Sequence, residues 1–590
     1  MGALGRTVVG RNRYARIIGL GDRRSPCVHT PCIVKIEGDP DLHHSIAPFS
    51  FSRDGSVSPA TLSLETLIEE MDILSPPSII KWQTSEGQHL PPVLSEADSG
   101  KLGGDDNFLV VSWQTLHHDS RLMDENLAPD IVILVDAPQL ISTGKIFLQA
   151  ILTLRERFPS SLLWAPGISG PDNAALLSWF GLDLFDCARS RSAAAAGHRL
   201  TMNGPRPMDE DEDTDIWIRD WEDSLRFIRS SIKTGNLREL VESQVLNSPR
   251  SVEHLRRHDS LLRGRKSILA SHVSQDRRFR FNSSSSRNDP LVHDWKTRVA
   301  DQYTPPSHCQ SVLLLLPCSE RKPYRESQSH RRFSRHIPFT CVDQVMVTSP
   351  LGLVPRSLED FWPAAHYDIP VTGDWDSDEI SMIHDMVQSL ADRIGYQIII
   401  NHSGISLSSI KGDFELIDTR QDSTAGSPES LERLQSTISE VVKRLEIRGP
   451  KGHRHRLEMY RSASRFLYGN DTWLSDVKIE GRPPRWRIEK EGKQIAQWHP
   501  RSGRFAFSKS SLNILNDGNV LPRIHLIPDV EWKGDIFVSI IESYPDGIRE
   551  GDDILVMQNS ILIGSARAVA PGWEWKGSPG RVARSHHRIG

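Results

Sequence analysis

The chain has 590 residues, a net charge of −5 and 38% hydrophobic residues. This length suits roughly three to five soluble domains, and the composition excludes a disordered acidic chain or a uniformly basic nucleic-acid coat. No apolar run approaches the roughly 20 residues that cross a bilayer, and the amino terminus lacks a secretory core, so we expect a cytoplasmic protein without a membrane partner. The six cysteines are scattered without CxxC pairs, so we expect no disulfide framework and no bound metal.

Residues 1–282 are predicted to form an α/β domain. The apolar run from Ile131 to Val135 predicts a buried strand, and Thr143 to Arg157 predicts a helix. Alternation of such segments indicates βα units and a parallel sheet or barrel. A longer segment, Ile216 to Leu246, is amphipathic, with apolar residues near helical spacing.

Residues 291–418, between two polar breaks, are predicted to form a second α/β domain. Strands are expected at Ser311–Leu316, Gln344–Thr348 and Tyr396–Ile400, with a helix from Glu379 to Ile394. The first of these strands is wholly apolar, which is typical of a strand buried in a parallel sheet. Ligands of open α/β sheets bind at the carboxyl ends of strands, so the segment after Leu316 is the main candidate site.

That segment carries several reactive groups close together: Cys318, Lys322, Tyr324, Ser327, Ser329 and His330. Cys318 is either a nucleophile or a small apolar residue that ends a buried strand. Lys322 either lowers the pKa of the thiol or holds an anionic substrate group. Tyr324 and His330 are candidate proton donors or base-stacking groups, with a structural role for His330 left open, and Ser327 and Ser329 are expected to orient them.

The last part of the chain is predicted to be a small α+β connecting domain, 430–518, and an all-β domain, 519–590. A helix is expected from Ser430 to Leu445, followed by a basic segment from Arg448 to Arg465. Strands are expected at Ile536–Val538, Ile554–Met557 and Ile561–Gly564. The final strand region is basic, and Arg581, Arg584 and Arg588 are candidate contacts to RNA phosphates.

The reactive segment resembles the signature of the archaeosine synthases, archaeal tRNA-modifying relatives of the tRNA-guanine transglycosylases. That signature has the spacing PC-x3-KPY-x2-S-x2-H, and its fixed positions are matched by Pro317, Cys318, Lys322, Pro323, Tyr324, Ser327 and His330. A second stretch, His366 to Asp376, resembles the YD-x-P-x-T-G-x-W stretch of the same family. The resemblance implies substrate-binding roles for Tyr367, Asp368 and Asp374.

The resemblance also implies a domain order: a transglycosylase-like (β/α) barrel, the signature domain, the connecting domain and a carboxyl-terminal PUA barrel. In the first domain, Gly181 to Cys187 is similar to a transglycosylase strand end whose last aspartate is the nucleophile, and Asp186 occupies that position. The chain lacks the family's second aspartate segment and its CxCxxC zinc cluster. We therefore expect Asp186 to be a vestigial nucleophile position.

The implied reaction adds an amine to the nitrile of 7-cyano-7-deazaguanine at position 15, in the D-loop of archaeal tRNA. The implied amine is free L-lysine, no cofactor is expected to be bound, and a radical S-adenosylmethionine partner enzyme would later cleave the adduct. Two routes stay open: attack by Cys318 to give a thioimidate, or direct attack by the amine with Cys318 shaping the pocket. The oligomeric state is also open, with a homodimer among the alternatives.

Two rival functions remain from the sequence. One is transglycosylation, an exchange of the base at Asp186, which the missing second aspartate disfavours. The other is a noncatalytic tRNA-binding scaffold, which the intact signature disfavours. The sequence therefore favours an enzyme, an amine-adding transferase that acts on tRNA.

Overall fold

The computed structural model describes the chain in segments, which are residues 5–22, 24–36, 39–50, 62–63, 103–104, 108–118, 122, 124, 126–209, 211–213, 215–271, 278–369, 375–482 and 485–589. It divides into two compact units. The first runs to Leu262 and also contains 537–539 and 570–582, and the second holds Arg263 to Ile536, 540–569 and the residues from Ala583. The predicted division into four domains stays a prediction.

The first unit combines β-sheets with helices. Its strands are β1 (Arg6–Asn12), β2 (Ala15–Gly21), β3 (Pro26–His29), β4 (Cys32–Lys35), β5 (Phe49–Ser50), β6 (Leu62–Ser63), β7 (Gly103–Gly104), β8 (Phe108–Val111), β9 (Ile131–Leu134), β10 (Leu162–Trp164), β11 (Leu184–Phe185), β12 (His198–Thr201) and β13 (Gly204–Pro207). Its helices are α1 (Trp113–His118), α2 (Ala137–Leu140), α3 (Gly144–Arg157), α4 (Ala174–Phe180), α5 (Ala188–Ala195), α6 (Ile216–Thr234), α7 (Leu237–Gln244) and α8 (Pro249–Leu261). The predicted strand at Ile131 and the predicted helix ending at Arg157 are confirmed.

The main sheet of this unit has the strand order β6-β5-β4-β11-β10-β9-β8-β7. In the sequence, β4 is the earliest strand of this sheet and β11 is the latest, and the two pair in parallel. A pairing of the first strand with the last is the one that closes a βα barrel. Among the described residues β6 and β7 are not paired to each other, and β7 runs antiparallel to β8. The strand order agrees with the predicted barrel, and its closure stays a prediction.

The amphipathic segment from Ile216 to Leu246 is helical, as its spacing indicates, and the structure divides it into α6 and α7. Gly235 follows α6 in a left-handed conformation, with φ +81°, and its N–H bonds to the carbonyls at the end of α6. Glycine adopts this conformation at little cost, which makes it a common helix terminator. The apolar spacing continues across the break, so periodicity alone did not reveal the break.

The second unit, with two strands that extend past its boundary, holds the remaining elements. Its strands are β14 (Phe279–Arg280), β15 (Val312–Pro317), β16 (Asp343–Thr348), β17 (Gly352–Pro355), β18 (Tyr367–Asp368), β19 (Ile398–Asn401), β20 (Glu415–Asp418), β21 (Lys478–Arg482), β22 (Arg485–Lys490), β23 (Lys493–His499), β24 (Arg504–Phe507), β25 (Arg523–Leu526), β26 (Ile536–Phe537), β27 (Ile541–Ser543), β28 (Asp553–Gln558), β29 (Ile561–Ala568) and β30 (Arg581–Arg588). Its helices are α9 (Pro290–Gln302), α10 (Gln328–His336), α11 (Ser377–Ile394), α12 (Pro428–Arg444), α13 (Gly452–Tyr468) and α14 (Leu512–Asp517).

A five-stranded sheet with the order β17-β16-β15-β19-β20 forms the centre of the signature region. The central strand β15 is parallel to β16 and β19, and its residues Val312 to Leu316 are completely buried. Burial on both faces explains why this strand is apolar without alternation. The three predicted strands and the helix that ends at Ile394 are confirmed.

The second polar break, residues 418–428 between β20 and α12, is an ordered loop. Thr419 is buried, and the Arg433 guanidinium of α12 donates to the carbonyls of Thr419 and Arg420 at 3.0 and 2.7 Å. Leu431 and Leu434 of α12 belong to the same apolar core as the five-stranded sheet. Turn-forming composition identified a loop correctly here, but it could not reveal that the loop is packed.

Two further sheets follow. Strands β21 to β24 form a four-stranded antiparallel sheet, and with α13 this agrees with the predicted α+β region. The last sheet has the order β26-β30-β29-β28-β25-β27, and its edge strands are separated in sequence only by Val538–Ile540, so it forms a nearly closed barrel. Its identity as a PUA barrel stays a prediction. Among the helices that the structure describes, none combines the length and apolar character needed to cross a membrane.

Candidate active site

The signature segment lies at the carboxyl end of β15, the central strand of the five-stranded sheet. The chain leaves the sheet at Pro317 and enters α10 after Ser327. The Ser327 hydroxyl accepts a hydrogen bond from the backbone N–H of His330 at 3.2 Å, and it lies 3.1 Å from the Ser329 hydroxyl. Serine is a favoured residue at this helix-capping position. Ser327 and Ser329 therefore hold the start of α10.

Cys318 presents a half-buried thiol at the first position after the strand. It lines a cavity of about 500 Å³, which we call the thiol cavity. Burial raises the pKa of the Cys318 thiol, while the charge of Lys322 and a hydrogen bond from the Thr348 hydroxyl oppose that increase. A thiol with a raised pKa is mostly protonated at neutral pH, so this sulfur needs a base nearby before it can attack.

Lys322 lies beside that thiol. Its Nζ is 4.3 Å from the centre of the Tyr367 ring. Burial lowers the pKa of the Lys322 amine, and the charges of Cys318, Asp368 and Glu320 act in the opposite direction. An amine with a lowered pKa carries a larger neutral fraction, so Lys322 is suited to accept the proton of Cys318.

Three buried hydroxyl groups lie next to Cys318 and Lys322 and are hydrogen-bonded to each other. The hydroxyls of Tyr324 and Tyr367 are 2.5 Å apart, and the Thr348 hydroxyl is 2.6 Å from that of Tyr367. Burial raises the pKa of both phenols, so they remain protonated. Thr348 in turn bonds to the sulfur of Cys318. The result is a chain of hydroxyls that can orient or share protons with the thiol.

The sequence analysis missed Thr348, although it correctly placed this residue at the end of a strand. β16 is parallel to β15, so their carboxyl ends meet at one edge of the sheet. That rule, applied to every strand of the region, would have put Thr348 beside the signature segment.

His330 is placed beneath the signature segment. Arg356 donates to its Nδ1 at 3.0 Å, and its Nε2 lies 3.0 Å from the carbonyl oxygen of Pro317. An arginine can only donate, so Nε2 carries the proton and donates to Pro317. Burial and the charge of Arg356 lower the pKa of His330 to about 3. Both ring nitrogens are in use, and these contacts favour a positioning role over proton donation.

The thiol cavity has aromatic and apolar walls with a few charged groups. Phe281, Ile369 and Trp375 contribute apolar surface. Glu379 accepts hydrogen bonds from the Ser349 hydroxyl and, at 2.9 Å, from the backbone N–H of Asp376. Ile369 and Trp375 belong to the stretch 366–376 that the sequence singled out, whereas Phe281 and Glu379 were not predicted to be part of the site. The D-x-x-E capping pattern at the start of α11 is the sequence signal that could have pointed to Glu379.

Two arginines complete the lining of the thiol cavity. Arg287 is 2.6 Å from the carboxylate of Asp376 and 3.8 Å from that of Glu379. Arg420 lines the same cavity and donates to the carbonyl of Ser403 at 3.0 Å. The cavity therefore offers both a carboxylate and guanidinium groups to a polar ligand.

A second cavity of about 570 Å³, which we call the charged cavity, is lined by Lys322. Its lining is Arg278, Glu320, Arg321, Lys322, Glu326, Ala365, Tyr367 and Asp368. Asp368 is held there by β18, which pairs in parallel with β14. Neighbouring cations and carboxylates suit a zwitterion such as an amino acid. Asp374, the remaining predicted substrate contact, lies outside the described residues.

Asp186 lies in the first compact unit and is completely buried. Its carboxylate accepts hydrogen bonds from Trp164 Nε1 at 3.2 Å and from the N–H groups of Gly167 and Ala188 at 2.8 and 3.1 Å. Burial raises its pKa to about 6. A carboxylate that is enclosed and already bonded in this way is poorly placed to attack a sugar carbon, which agrees with a vestigial position.

The three arginines predicted to bind RNA are exposed on β30. Arg584 lies opposite Arg567 on β29, and the guanidinium of Arg588 is 5.5 Å from the centre of the Trp532 ring. Arg581, at the start of β30, belongs to the first compact unit. In the described part of the chain, no group of three or more His, Cys, Asp or Glu side chains is arranged to hold a metal ion.

Comparison with known proteins agrees with this geometry. Residues 292–438, which include the signature segment, match a family described as a domain of unknown function, DUF5591. The chain is 28% identical to archaeosine synthase subunit alpha of Methanosarcina acetivorans, over 95% of each chain. It is 26% identical to archaeosine synthase of Methanocaldococcus jannaschii, over 76% of this chain and 77% of that protein.

Two more distant similarities cover smaller parts of the chain. The tRNA-guanine(15) transglycosylase of Methanobrevibacter smithii is 25% identical over 31% of this chain and 27% of its own length. The structure of a conserved PUA domain protein from Thermoplasma acidophilum aligns with a TM-score of 0.19 and 22% identity, over 24% of this chain and 92% of that one. The similarity to archaeosine synthase subunit alpha of Methanosarcina acetivorans extends over nearly the whole sequence.

Proposed function

We propose that this protein is an enzyme of tRNA modification that adds free L-lysine to the nitrile of 7-cyano-7-deazaguanine at position 15 of tRNA. One observation carries the proposal: Cys318 and Lys322 interact with each other, yet line two different cavities. A nucleophile on one side and a charged pocket on the other suit a reaction between a base and an amino acid. The similarity to archaeosine synthases supports tRNA as the substrate.

The first step forms a bond between the sulfur of Cys318 and the nitrile carbon. Lys322, as a neutral amine, takes the thiol proton, and the thiolate attacks. The nitrile nitrogen gains the negative charge and receives a proton from the Lys322 ammonium, which gives a thioimidate. Every proton and electron pair is retained in this step, so no oxidant or reductant is required.

The second step releases the thiol. The amine of lysine attacks the thioimidate carbon, the carbon–sulfur bond breaks, and the proton from the amine returns to the sulfur. The product is an amidine, and the enzyme regains its starting state. Water would give an amide instead, so enclosed walls favour the amine. Phe281 and Ile369 supply apolar wall on the side of the thiol.

The thiol cavity also offers groups that match a guanine-like base. The carboxylate of Glu379 accepts hydrogen bonds, as required by the ring N–H and exocyclic amino group of such a base. Trp375 supplies an aromatic face for stacking. We place the modified base in the thiol cavity on these grounds, with its nitrile toward Cys318.

The charged cavity is the proposed lysine site. Asp368 is the candidate partner of an ammonium group and Arg278 of the carboxylate, since both line this cavity. The amine of the co-substrate would approach the reacting carbon past Tyr367, whose ring contacts Lys322. Cleavage of the adduct by a radical S-adenosylmethionine partner, and assembly as a homodimer, stay predictions.

Mass spectrometry of tRNA tests the proposal. Transfer RNA that carries 7-cyano-7-deazaguanine is incubated with the enzyme and, separately, with lysine, ornithine, glutamine or ammonium ion. We expect a nucleoside heavier by one lysine in the lysine reaction only. A transglycosylase would instead release the free base, and a scaffold would leave the nucleoside unchanged, so either result would contradict the proposal.

A further inference from the structure

A third cavity, of about 410 Å³, lies in the second compact unit away from the signature segment. Its lining is rich in cations from the segment before β14, from α9, α13 and β24, and from the loop before β28, namely Lys266, Arg298, Arg465, Arg504 and Arg549. The predicted signature chemistry uses none of these residues.

Most of the charge is balanced by neighbouring carboxylates. Arg549 pairs with Asp552 at 3.2 Å, Arg465 with Asp471 at 2.6 Å, and Arg298 with Asp294 at 3.6 Å. The remaining acid of the lining, Asp553, pairs with Arg567 at 2.7 Å. Lys266 and Arg504 are the lining cations that have no ion pair among the described residues.

Of these two cations, Arg504 has the less favourable surroundings. Its Nε and Nη1 atoms are shielded from solvent and find no hydrogen-bond acceptor in the described part of the chain. Burial and repulsion by Arg567 lower the pKa of its guanidinium, and attraction by Asp553 and Tyr468 offsets this only in part. A shielded donor without an acceptor costs roughly 1–3 kcal/mol, and more when it is charged. A ligand with anionic oxygen atoms would remove this cost.

The surroundings of Arg504 indicate what that ligand is. Arg567, which repels it, lies directly opposite Arg584 on the neighbouring strand β30. The three arginines thus form a row that leads from the cavity to the exposed side chain of Arg584 on β30. Repeated phosphates along a nucleic-acid backbone match such a row, whereas a single small anion would leave most of it unused.

We propose that this cavity binds a backbone phosphate of RNA through Arg504, and that Arg567 and Arg584 contact the neighbouring phosphates. The fork of donors on a guanidinium fits two phosphate oxygens at once. The identity of the RNA as tRNA rests on the proposed function. The phosphate contact itself does not depend on the reaction at Cys318.

Fluorescence anisotropy with labelled tRNA at several salt concentrations tests the site. Arg504→Gln removes the charge with little change in size, and we expect the slope of log affinity against log salt to fall by about one unit. Arg504→Lys keeps the charge and should keep the slope. Arg226→Gln is the matched control, because Arg226 is an exposed arginine of the first unit that pairs with Asp223 at 3.1 Å.

Thermal unfolding without RNA separates binding from stability. If the guanidinium without an acceptor destabilises the free protein, Arg504→Gln will melt at the same temperature as the wild type or at a higher one. A clearly lower melting temperature would instead assign Arg504 to the core and overturn the proposal. An unchanged salt slope, or an equal change in Arg226→Gln, would overturn it as well.

Two further arms identify the ligand. In the first, inorganic phosphate is added to the unfolding assay. If phosphate stabilises the wild type while Arg504→Gln binds RNA as the wild type does, the cavity is a site for a free anion and the RNA proposal is rejected. Transfer RNA without the nitrile is used in parallel, and we expect the same loss of slope. A failed adduct assay together with the altered slope would contradict the proposed reaction but leave the phosphate site standing.

Discussion

The Nζ atom of Lys322 lies 4.3 Å from the centre of the Tyr367 ring, while the hydroxyl at the other end of that ring bonds through Thr348 to the thiol of Cys318. Tyr367 thus contacts the amine with its face and connects to the sulfur with its edge. The two candidate reactive groups are held by one buried side chain. Their relative position should therefore be more sensitive to Tyr367 than to any residue on the cavity surface.

The covalent route makes a direct prediction for Cys318. Cys318→Ala and Cys318→Ser should both abolish lysine addition, by more than about a thousandfold, because neither can form a thioimidate. Binding of tRNA should be unaffected, since the change is small and lies inside a cavity. Incubation of the wild type with nitrile-bearing tRNA and no lysine, followed by digestion and mass analysis, should reveal a nucleoside-modified Cys318 peptide. A Cys318→Ala enzyme that keeps a substantial rate would exclude the covalent route.

The lowered pKa of Lys322 predicts a pH dependence for the thiol addition. A base works only when it is neutral, so the rate of thioimidate formation should rise with pH, and its midpoint should lie below the ordinary lysine value of 10.5. Single-turnover assays without free lysine measure this step alone. Lys322→Arg, which stays protonated, should lose this pH-dependent rise together with most of the rate. A profile identical to that of the wild type would contradict the assignment.

The hydroxyl chain predicts a graded effect of removing each phenol oxygen. Tyr367→Phe removes the hydroxyl that bonds to both Thr348 and Tyr324, whereas Tyr324→Phe leaves the Thr348–Tyr367 bond in place. We expect single-turnover rates to fall about tenfold to a hundredfold for the first variant and less for the second. Equal losses would indicate that the chain only supports the fold, which melting temperatures of the two variants would then show directly.

Sequence patterns predicted the position of this site well and its contacts poorly. A wholly apolar strand before Pro317 was enough to place Cys318 and Lys322 at the carboxyl end of a parallel sheet, and the structure confirms that position. The contacts of Thr348 and Glu379 depend on strand order and on how α11 packs, which no local pattern records. His330 looked like a proton donor because imidazoles often are; only the positions of Arg356 and Pro317 show that both nitrogens are used.

Asp186 should be dispensable for lysine addition but not for the pH dependence of folding. Its pKa is raised to about 6 in the folded state, so the folded protein holds this proton more tightly than the unfolded chain does. Stability from this group is present at low pH and is lost as the pH rises from about 4 to 6. Relative to Asp186→Asn, the wild type should gain roughly 2 kcal/mol between pH 7 and pH 4.

Calorimetric unfolding of both proteins across this pH range measures that difference. Adduct yield at pH 7 should agree within a factor of about three, which is below one kcal/mol of transition-state stabilisation. A hundredfold loss of yield in a well-folded Asp186→Asn protein would restore a catalytic role for this carboxylate. Asp186→Ala is a poorer test, because it leaves the donors of Gly167 and Ala188 unsatisfied.

The exposed arginines of the last strand should contribute charge to RNA binding. Substitution of both Arg584 and Arg588 by glutamine should lower the salt slope of tRNA affinity by about two units. Deletion of the whole segment from Leu521 would be harder to interpret, because 570–582 belongs to the first compact unit. An unaltered slope in the double variant would place the RNA contacts on other residues.

The half-burial of Cys318 has a practical consequence for labelling the enzyme. Cys27 is exposed, whereas the Cys318 thiol is sheltered and its pKa is raised. Thiolates, not thiols, react with maleimides and haloacetamides, so a brief treatment near neutral pH should attach a fluorophore to Cys27 and spare the sheltered sulfur. A dye placed in this way would leave the enzyme able to turn over. Conversely, a small aromatic nitrile that fits the thiol cavity would label Cys318 selectively, because its reactivity depends on the base beside it and not on general exposure.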